Sequence, residues 1–284
     1  MTRTDETTLR IAASLPPDIF TIKQRQKATW ESGDFGQVAR TIENVAAEFM
    51  AELPLKVGAR VLDVACGTGN LAVIAARQGC SVTGIDLASN LVAQARGRAK
   101  CEELNIRYDE GDAESLPYPD AIFDLAVSMY GVMFAPQPDR VAAELFRVTR
   151  PGGIIALANW TSEGFIGRMF NVFKAHVPPA PGMPSPLLWG DEAIVRTRLR
   201  NGVADLRCNR RIARMRYPFP PAEVVEFFRR YYGPTHRAFA ALDETRQTWL
   251  WQDLVRLQAE ANVSTDPRAT EVEAEYLQVV ATRA

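Results

Sequence analysis

The chain has 284 residues, 47% of them hydrophobic and 24% charged, with 33 Lys and Arg set against 34 Asp and Glu. That length buries a sizeable core in one enlarged domain or in one domain plus a cap, and the near-neutral balance lacks the basic excess of a nucleic-acid-binding surface. No run of about 18 apolar residues occurs and the first ten residues are polar, so neither a membrane span nor secretion is expected.

In chain order, residues 1 to about 15 read as poorly ordered, and Pro16-Pro17 separates them from a mixed segment running to Trp30. From Gln37 a helix is predicted up to Leu53-Pro54, because Val38, Ile42, Val45, Ala46 and Phe49 recur at helical spacing. Strands near 60–65, 81–86, 105–109, 123–128 and 153–159 then alternate with helical patterns at Asn70–Gln78, Ser89–Glu103 and from Asp139 to Val148. Such alternation predicts an α/β fold, a parallel sheet with helices on both faces.

The first of these strands runs into Asp63-Val64-Ala65-Cys66-Gly67-Thr68-Gly69. Glycines there let the backbone approach a ligand closely, and the helix opening near Asn70 offers free N–H groups. Asp86 closes the second strand about twenty residues beyond Gly67, the distance at which an acidic side chain accepts hydrogen bonds from both ribose hydroxyls and repels a 2′-phosphate. Together they point to a nucleoside-bearing cofactor with an unphosphorylated ribose. Asp112, in Gly111-Asp112-Ala113, follows a third short strand and could sit beside an adenine amino group, although a lone Asp is more often a turn residue. Phe123 to Tyr130 is a buried strand ending in small and polar residues, and Arg150-Pro151-Gly152-Gly153 turns into the apolar strand Ile154 to Ala158.

Taken in order over roughly residues 40 to 160, these motifs resemble the class I S-adenosylmethionine-dependent methyltransferases, and most closely their small-molecule branch, the methyltransferase-11 or -25 type that includes the ubiquinone and menaquinone C-methyltransferases. The resemblance implies a Rossmann-like seven-stranded sheet of order 3-2-1-4-5-7-6 with the last strand antiparallel, and S-adenosylmethionine as cofactor. It implies that Asp63 and the turn Ala65, Gly67, Thr68 and Gly69 hold the methionine portion, that Asp86 binds the ribose and that Leu87 packs on the adenine. It further implies that Asp112 and the backbone of Ala113 read the adenine edge and that Ser128 and Met129 face the methionine part. Trp30 resembles the aromatic residue that closes over the cofactor in this branch.

After Trp160 the alternation breaks. Gly164 to Val177 reads as an amphipathic helix, followed by the proline-rich loop from Pro178 to Pro184, a helix capped by Gly190-Asp191, a strand from Val203 to Tyr217, helices from Pro221 to Asn262 and a last strand from Glu275 to Thr282. About 55 residues separate the last two strands, against a usual connection of about two to six, so the excess is expected to form a lid over the acceptor. The chain thus divides into a tail and cofactor-covering segment at 1–36, a cofactor-binding core at 37–160, and an acceptor lid with closing strands of the same sheet at 161–284.

Methyl transfer is an in-line displacement governed by positioning and desolvation, so an acid–base pair is optional. Where the acceptor must lose a proton, a neutral His is the natural base, and only His176 and His236 are available. Both fall in the lid, with His236 favoured by its neighbours Tyr231, Tyr232 and Gly233-Pro234. Aromatic residues from Phe165 to Trp251 suggest an apolar acceptor pocket as well as core, and Tyr130 and Phe134 fall where cofactor and acceptor would meet. Arg207, Arg210, Arg211, Arg214 and Arg216 read as the solvated face of a strand. Cys66, Cys80, Cys101 and Cys208 lack metal-ligand spacing, so no metal is expected and a reducing cytoplasm suits them. The reading is therefore a cytoplasmic methyltransferase moving a methyl group to O, N or C of a small, partly apolar metabolite, with no nucleic-acid partner. A NAD-dependent oxidoreductase, whose glycine turn would hold a pyrophosphate, and a non-catalytic scaffold are the alternatives.

Overall fold

The computed structural model describes residues 18–179 and 183–284. The tail up to the Pro16-Pro17 break and residues 180–182 of the proline-rich loop lie outside the described residues. The segment before Trp30 is a regular helix, α1 (Ile19–Trp30), started by Asp18, whose side chain accepts the Thr21 N–H. The single helix predicted from Gln37 is instead two, α2 (Phe35–Arg40) and α3 (Glu43–Ala51). The break falls at two adjacent β-branched residues, Thr41 and Ile42, where the Thr41 hydroxyl and N–H both bond back to the Val38 carbonyl.

The core follows as β1 (Arg60–Val64), α4 (Asn70–Arg77), β2 (Ser81–Asp86), α5 (Ser89–Cys101), β3 (Ile106–Glu110), β4 (Phe123–Met129), α6 (Pro138–Val148) and β5 (Thr149–Trp160). Val61 to Val64 are all buried, as expected of a central strand hydrogen-bonded on both sides, here to β2 and β4. α6 begins with Pro138 and buries Val141, Ala142, Leu145 and Val148 along one stripe. β5 starts at Thr149, four residues before the predicted start, because the Arg-Pro-Gly-Gly turn is taken into the strand as an irregularity in its pairing with β4.

Beyond β5 come α7 (Phe165–His176), α8 (Glu192–Leu199), β6 (Val203–Tyr217), α9 (Pro221–Tyr231), α10 (Gly233–Ala240), α11 (Glu244–Ala261) and β7 (Thr270–Arg283). The sheet has seven strands in the order β3-β2-β1-β4-β5-β7-β6, with β7 antiparallel to both its neighbours, as the resemblance implied. β7 begins five residues before its predicted start, since it pairs with β6 along nearly its whole length. Each β6 arginine of the basic run has an acidic partner, for example Arg214 with Glu273 and Arg216 with Glu271, but the run is split between the two strand faces, with Arg210, Arg214 and Arg216 on one and Arg207 and Arg211 on the other. No described helix is long and apolar enough to cross a membrane.

The strand order reverses between β1 and β4, and there the carboxyl ends of the parallel strands part to leave a crevice. Tyr108 of β3 sets the height of its floor. A Cβ on Gly84 would lie 2.6 Å from the Tyr108 ring, and one on Gly69, which has φ +82°, would lie within reach of its hydroxyl oxygen. The ring therefore fills the space that two absent side chains leave beneath the turn. Gly84→Ala is expected to lose about 1–3 kcal/mol of stability through overpacking, read as a lowered Tm in thermal unfolding. An unchanged Tm would show that Tyr108 moves aside freely.

Candidate active site

The crevice is a cleft of about 1060 Å³ including its open mouth, and its wall carries Asp63, Ala65, Gly67, Thr68, Asp86 and Leu87 from the first two strand ends. Asp112, Ala113, Met129 and Trp30, also singled out by the sequence, line it as well. Asp86 is only 8% exposed and each of its oxygens is held by backbone, Oδ2 accepting the Gly67 N–H and Oδ1 the Ala88 N–H, both at 2.8 Å. Burial raises its pKa, and those N–H donors pull the other way. Asp63 is 1% exposed and accepts the Ala72 N–H of α4 at 3.0 Å. Burial, reinforced by the neighbouring Asp86 charge, pushes its carboxyl up to about 8. Neither carboxylate is ion-paired among the described residues, so the cleft favours a ligand that brings positive charge and hydroxyl donors.

Two residues of the predicted set lie elsewhere. Ser128 is fully buried, and its hydroxyl accepts the Val132 N–H to fasten the turn after β4 instead of facing the cleft. Gly69 provides the left-handed cap of α4, bonds the Cys66 carbonyl through its N–H and stays off the cleft wall. The histidines are likewise not brought to the cleft. His176 bonds Asp253 at 2.8 Å, joining α7 to α11, and His236 is exposed with Nδ1 3.4 Å from the Arg229 carbonyl. A base at either position would have to act from outside the lining, because α10 turns His236 toward solvent and the Asp253 contact holds the His176 ring away.

The site also contains residues that the sequence reading passed over. Lys23 of α1 lines the cleft, bonds Asp112 at 2.6 Å and pairs with Glu114. Burial lowers its pKa, but the two carboxylates outweigh that and hold it above the ordinary lysine value. Asp112 therefore has one oxygen on Lys23 and the other on the Glu114 N–H, a turn role that coexists with its place in the wall. Gln26 donates to the Phe134 carbonyl at 2.6 Å, and Glu31 accepts from the Ser89 hydroxyl at 2.8 Å. α1 is thereby fastened across the mouth. The signal was present as Lys23, Gln26, Lys27 and Trp30 at helical spacing, but it mixes charge with one aromatic and offers no apolar stripe.

Ala65 and Tyr130, at the ends of β1 and β4, both have positive φ, 54° and 58°. A Cβ on Gly131 would lie 2.6 Å from that of Ala65, so the two turns meet at Gly131. Backbone held this way in non-glycine residues is strained and clusters at functional sites. Tyr130 stacks on Trp160 with centroids 3.6 Å apart and planes 11° apart. Together with Trp30, Phe35, Ile42 and Phe134 it lines both the cleft and a second, smaller space behind it. Trp30 packs edge-on against Phe35, Phe134 and Tyr232 at centroid distances of 5.6, 5.0 and 5.8 Å, which joins α1, α2, the turn after β4 and the α9–α10 junction in one aromatic wall.

Residues 62–157 match the family described as a methyltransferase domain. An uncharacterized protein of Mycobacterium tuberculosis, Rv1405c, is 37% identical over 227 residues, covering 79% of this chain and 82% of that one. A demethylmenaquinone methyltransferase of Deinococcus radiodurans is 36% identical over 141 residues, 48% of this chain and 57% of that one. Among solved structures, phosphoethanolamine N-methyltransferase 2 of Haemonchus contortus in complex with S-adenosyl-L-methionine shares the fold. Its TM-score is 0.54 at 18% identity, over 85% of this chain and 53% of that one. The matched family spans the strand ends that build the cleft, and the chain belongs to the class I S-adenosylmethionine-dependent methyltransferases.

Proposed function

We propose that the cleft binds S-adenosylmethionine and that the space behind it receives a small, partly apolar acceptor, so that the enzyme methylates a metabolite in a reducing cytoplasm. The observation that carries this reading is the pair of buried carboxylates, Asp63 and Asp86, without an ion-pair partner in one wall. The residues fit the group: Asp86 retains acceptor capacity for ribose hydroxyls, and Asp63 would meet the cationic amino acid end. Gly67 and Thr68 pass close beneath it, while Leu87 and Ala113 offer apolar and backbone contacts to the adenine. A nicotinamide dinucleotide would instead bring a pyrophosphate beside these two carboxylates, adding charge of the same sign. Lys23 does not offset this, because its ammonium is already shared between Asp112 and Glu114.

Bound S-adenosylmethionine supplies a sulfonium methyl that is open to in-line displacement. What this chain contributes is position and cover. α1 and the Trp30 wall cover one side of the cleft, and Tyr130, at positive φ with its N–H bonded to the Ala158 carbonyl, marks where donor and acceptor would meet. The free thiols of Cys66, Cys80, Cys101 and Cys208 agree with a reducing compartment.

Calorimetric titration is expected to show binding of S-adenosylhomocysteine and none of NAD or NADP; the reverse result would overturn the reading. Asp86→Ala should weaken S-adenosylhomocysteine binding about 10- to 100-fold, the scale of hydrogen bonds to a charged acceptor. The Asp63 carboxyl generates a pH dependence. A cationic ligand favours its ionised form, so affinity for S-adenosylmethionine should rise with pH below about 8 and level off above it. In the unliganded protein the sign is opposite. With the folded pKa raised from 3.8, the Asp63 contribution to stability is full below 3.8 and is lost as pH rises through about 8. Asp63→Asn should remove the slope in affinity, and a slope that persists would assign it to another group.

A further inference from the structure

The space behind the cleft measures about 480 Å³ with its opening to solvent included. It reaches from Tyr130 and Phe134 to Tyr217, Phe228 and Tyr232, with Trp160, Met169 and Met215 filling its sides. Its lining includes no Asp, Glu, Lys, Arg or His among the described residues; the only polar side-chain groups are the Thr41 hydroxyl, the tyrosine hydroxyls and the indole N–H groups. Burial pushes the phenols of Tyr130, Tyr217 and Tyr232 up from their ordinary value, so none of them is a base near neutral pH. The two free carboxylates, Asp63 and Asp86, line the cleft and not this chamber.

These walls restrict the nucleophile. A carboxylate or phosphate acceptor would bury an anion against rings with no cation to pair with it. An alcohol, a phenol or an alkylammonium would have to shed a proton with no group in the wall to take it. A nitrogen that already has a free lone pair at neutral pH needs neither. We propose that the chamber takes an uncharged, apolar acceptor of the weakly basic amine or nitrogen-heteroarene class and that the enzyme methylates it at that nitrogen. The nitrogen lone pair forms the new N–C bond as the S–C bond breaks, with that bond's electron pair passing to sulfur. The positive charge moves from sulfur to nitrogen, and no proton leaves. The cationic product is then held by ring faces instead of by a carboxylate.

This inference rests on the methyl-donor reading of the cleft, and its test keeps the two apart. The protein is first saturated with S-adenosylhomocysteine, then titrated calorimetrically with quinoline, N-methylquinolinium and 1-naphthoate. Quinoline and N-methylquinolinium are expected to bind at least tenfold tighter than 1-naphthoate. In Phe228→Leu the affinity for N-methylquinolinium should fall severalfold more than that for quinoline. Preference for 1-naphthoate, equal affinity for all three, or binding of none overturns the acceptor assignment. Failure to bind S-adenosylhomocysteine in the first step overturns the donor reading instead. A Phe228→Leu protein that does not fold leaves the wild-type titrations to decide.

Discussion

Two carboxylates buried at the ends of adjacent parallel strands are the constraint around which this molecule is arranged. Asp63 and Asp86 sit in register-matched strands, with Asp63 paired to Gly84 and Val64 to Ile85. Burial disfavours their charge, and backbone N–H groups from the next structural element offset part of that cost: Ala72 from α4, Gly67 from the turn, and Ala88 from the start of α5. Each acid therefore fixes where a helix begins, and the two helix starts fix the cleft. The turn between them must be thin, since Tyr108 lies beneath it and the ligand space above.

The remainder of the chain encloses this point. α1 crosses the mouth on polar contacts, with Lys23, Gln26 and Glu31 each reaching a different element of the core. Polar fastening at the rim and aromatic packing at Trp30 have different consequences. The Glu31 contact can exchange with water at small cost, whereas parting Lys23 from the buried Glu114 leaves a buried carboxylate unpaired and parting the Trp30 wall exposes ring surface. Behind the wall, the helices inserted between β6 and β7 bring Phe228 and Tyr232 against Tyr130 and Phe134, so the second space is built by elements far apart in sequence.

The parallel core was readable because each strand is a short apolar run bounded by a turn signal, and because Asp63, Gly67 and Asp86 occur at spacings that only a strand, a turn and a strand can satisfy. Ser128 shows the limit of that reading. It stands at the correct strand end, but a single bond to the Val132 N–H turns it inward, and such a bond depends on local backbone that no periodicity reports. His236 shows another limit. Aromatic neighbours in sequence did not mean an aromatic surrounding in space, since Tyr232, just before α10, and Phe239 on it are buried while His236 is exposed. Lys23 was missed because a covering helix with a mixed polar and aromatic inner face resembles a loop until its partners are known.

The antiparallel β6–β7 pair closes the sheet with β6, a strand of 15 residues that has a neighbour on one side only. A free edge of that length is a template on which another chain could continue the sheet. The arginines at 207, 210, 211, 214 and 216 change what such a meeting would involve. Two copies approaching edge to edge would bring together guanidinium groups from both faces of β6, each already held by an acid of its own molecule. The paired charge along β6 thus also bears on how this edge, one of the two that end the sheet, would meet another chain.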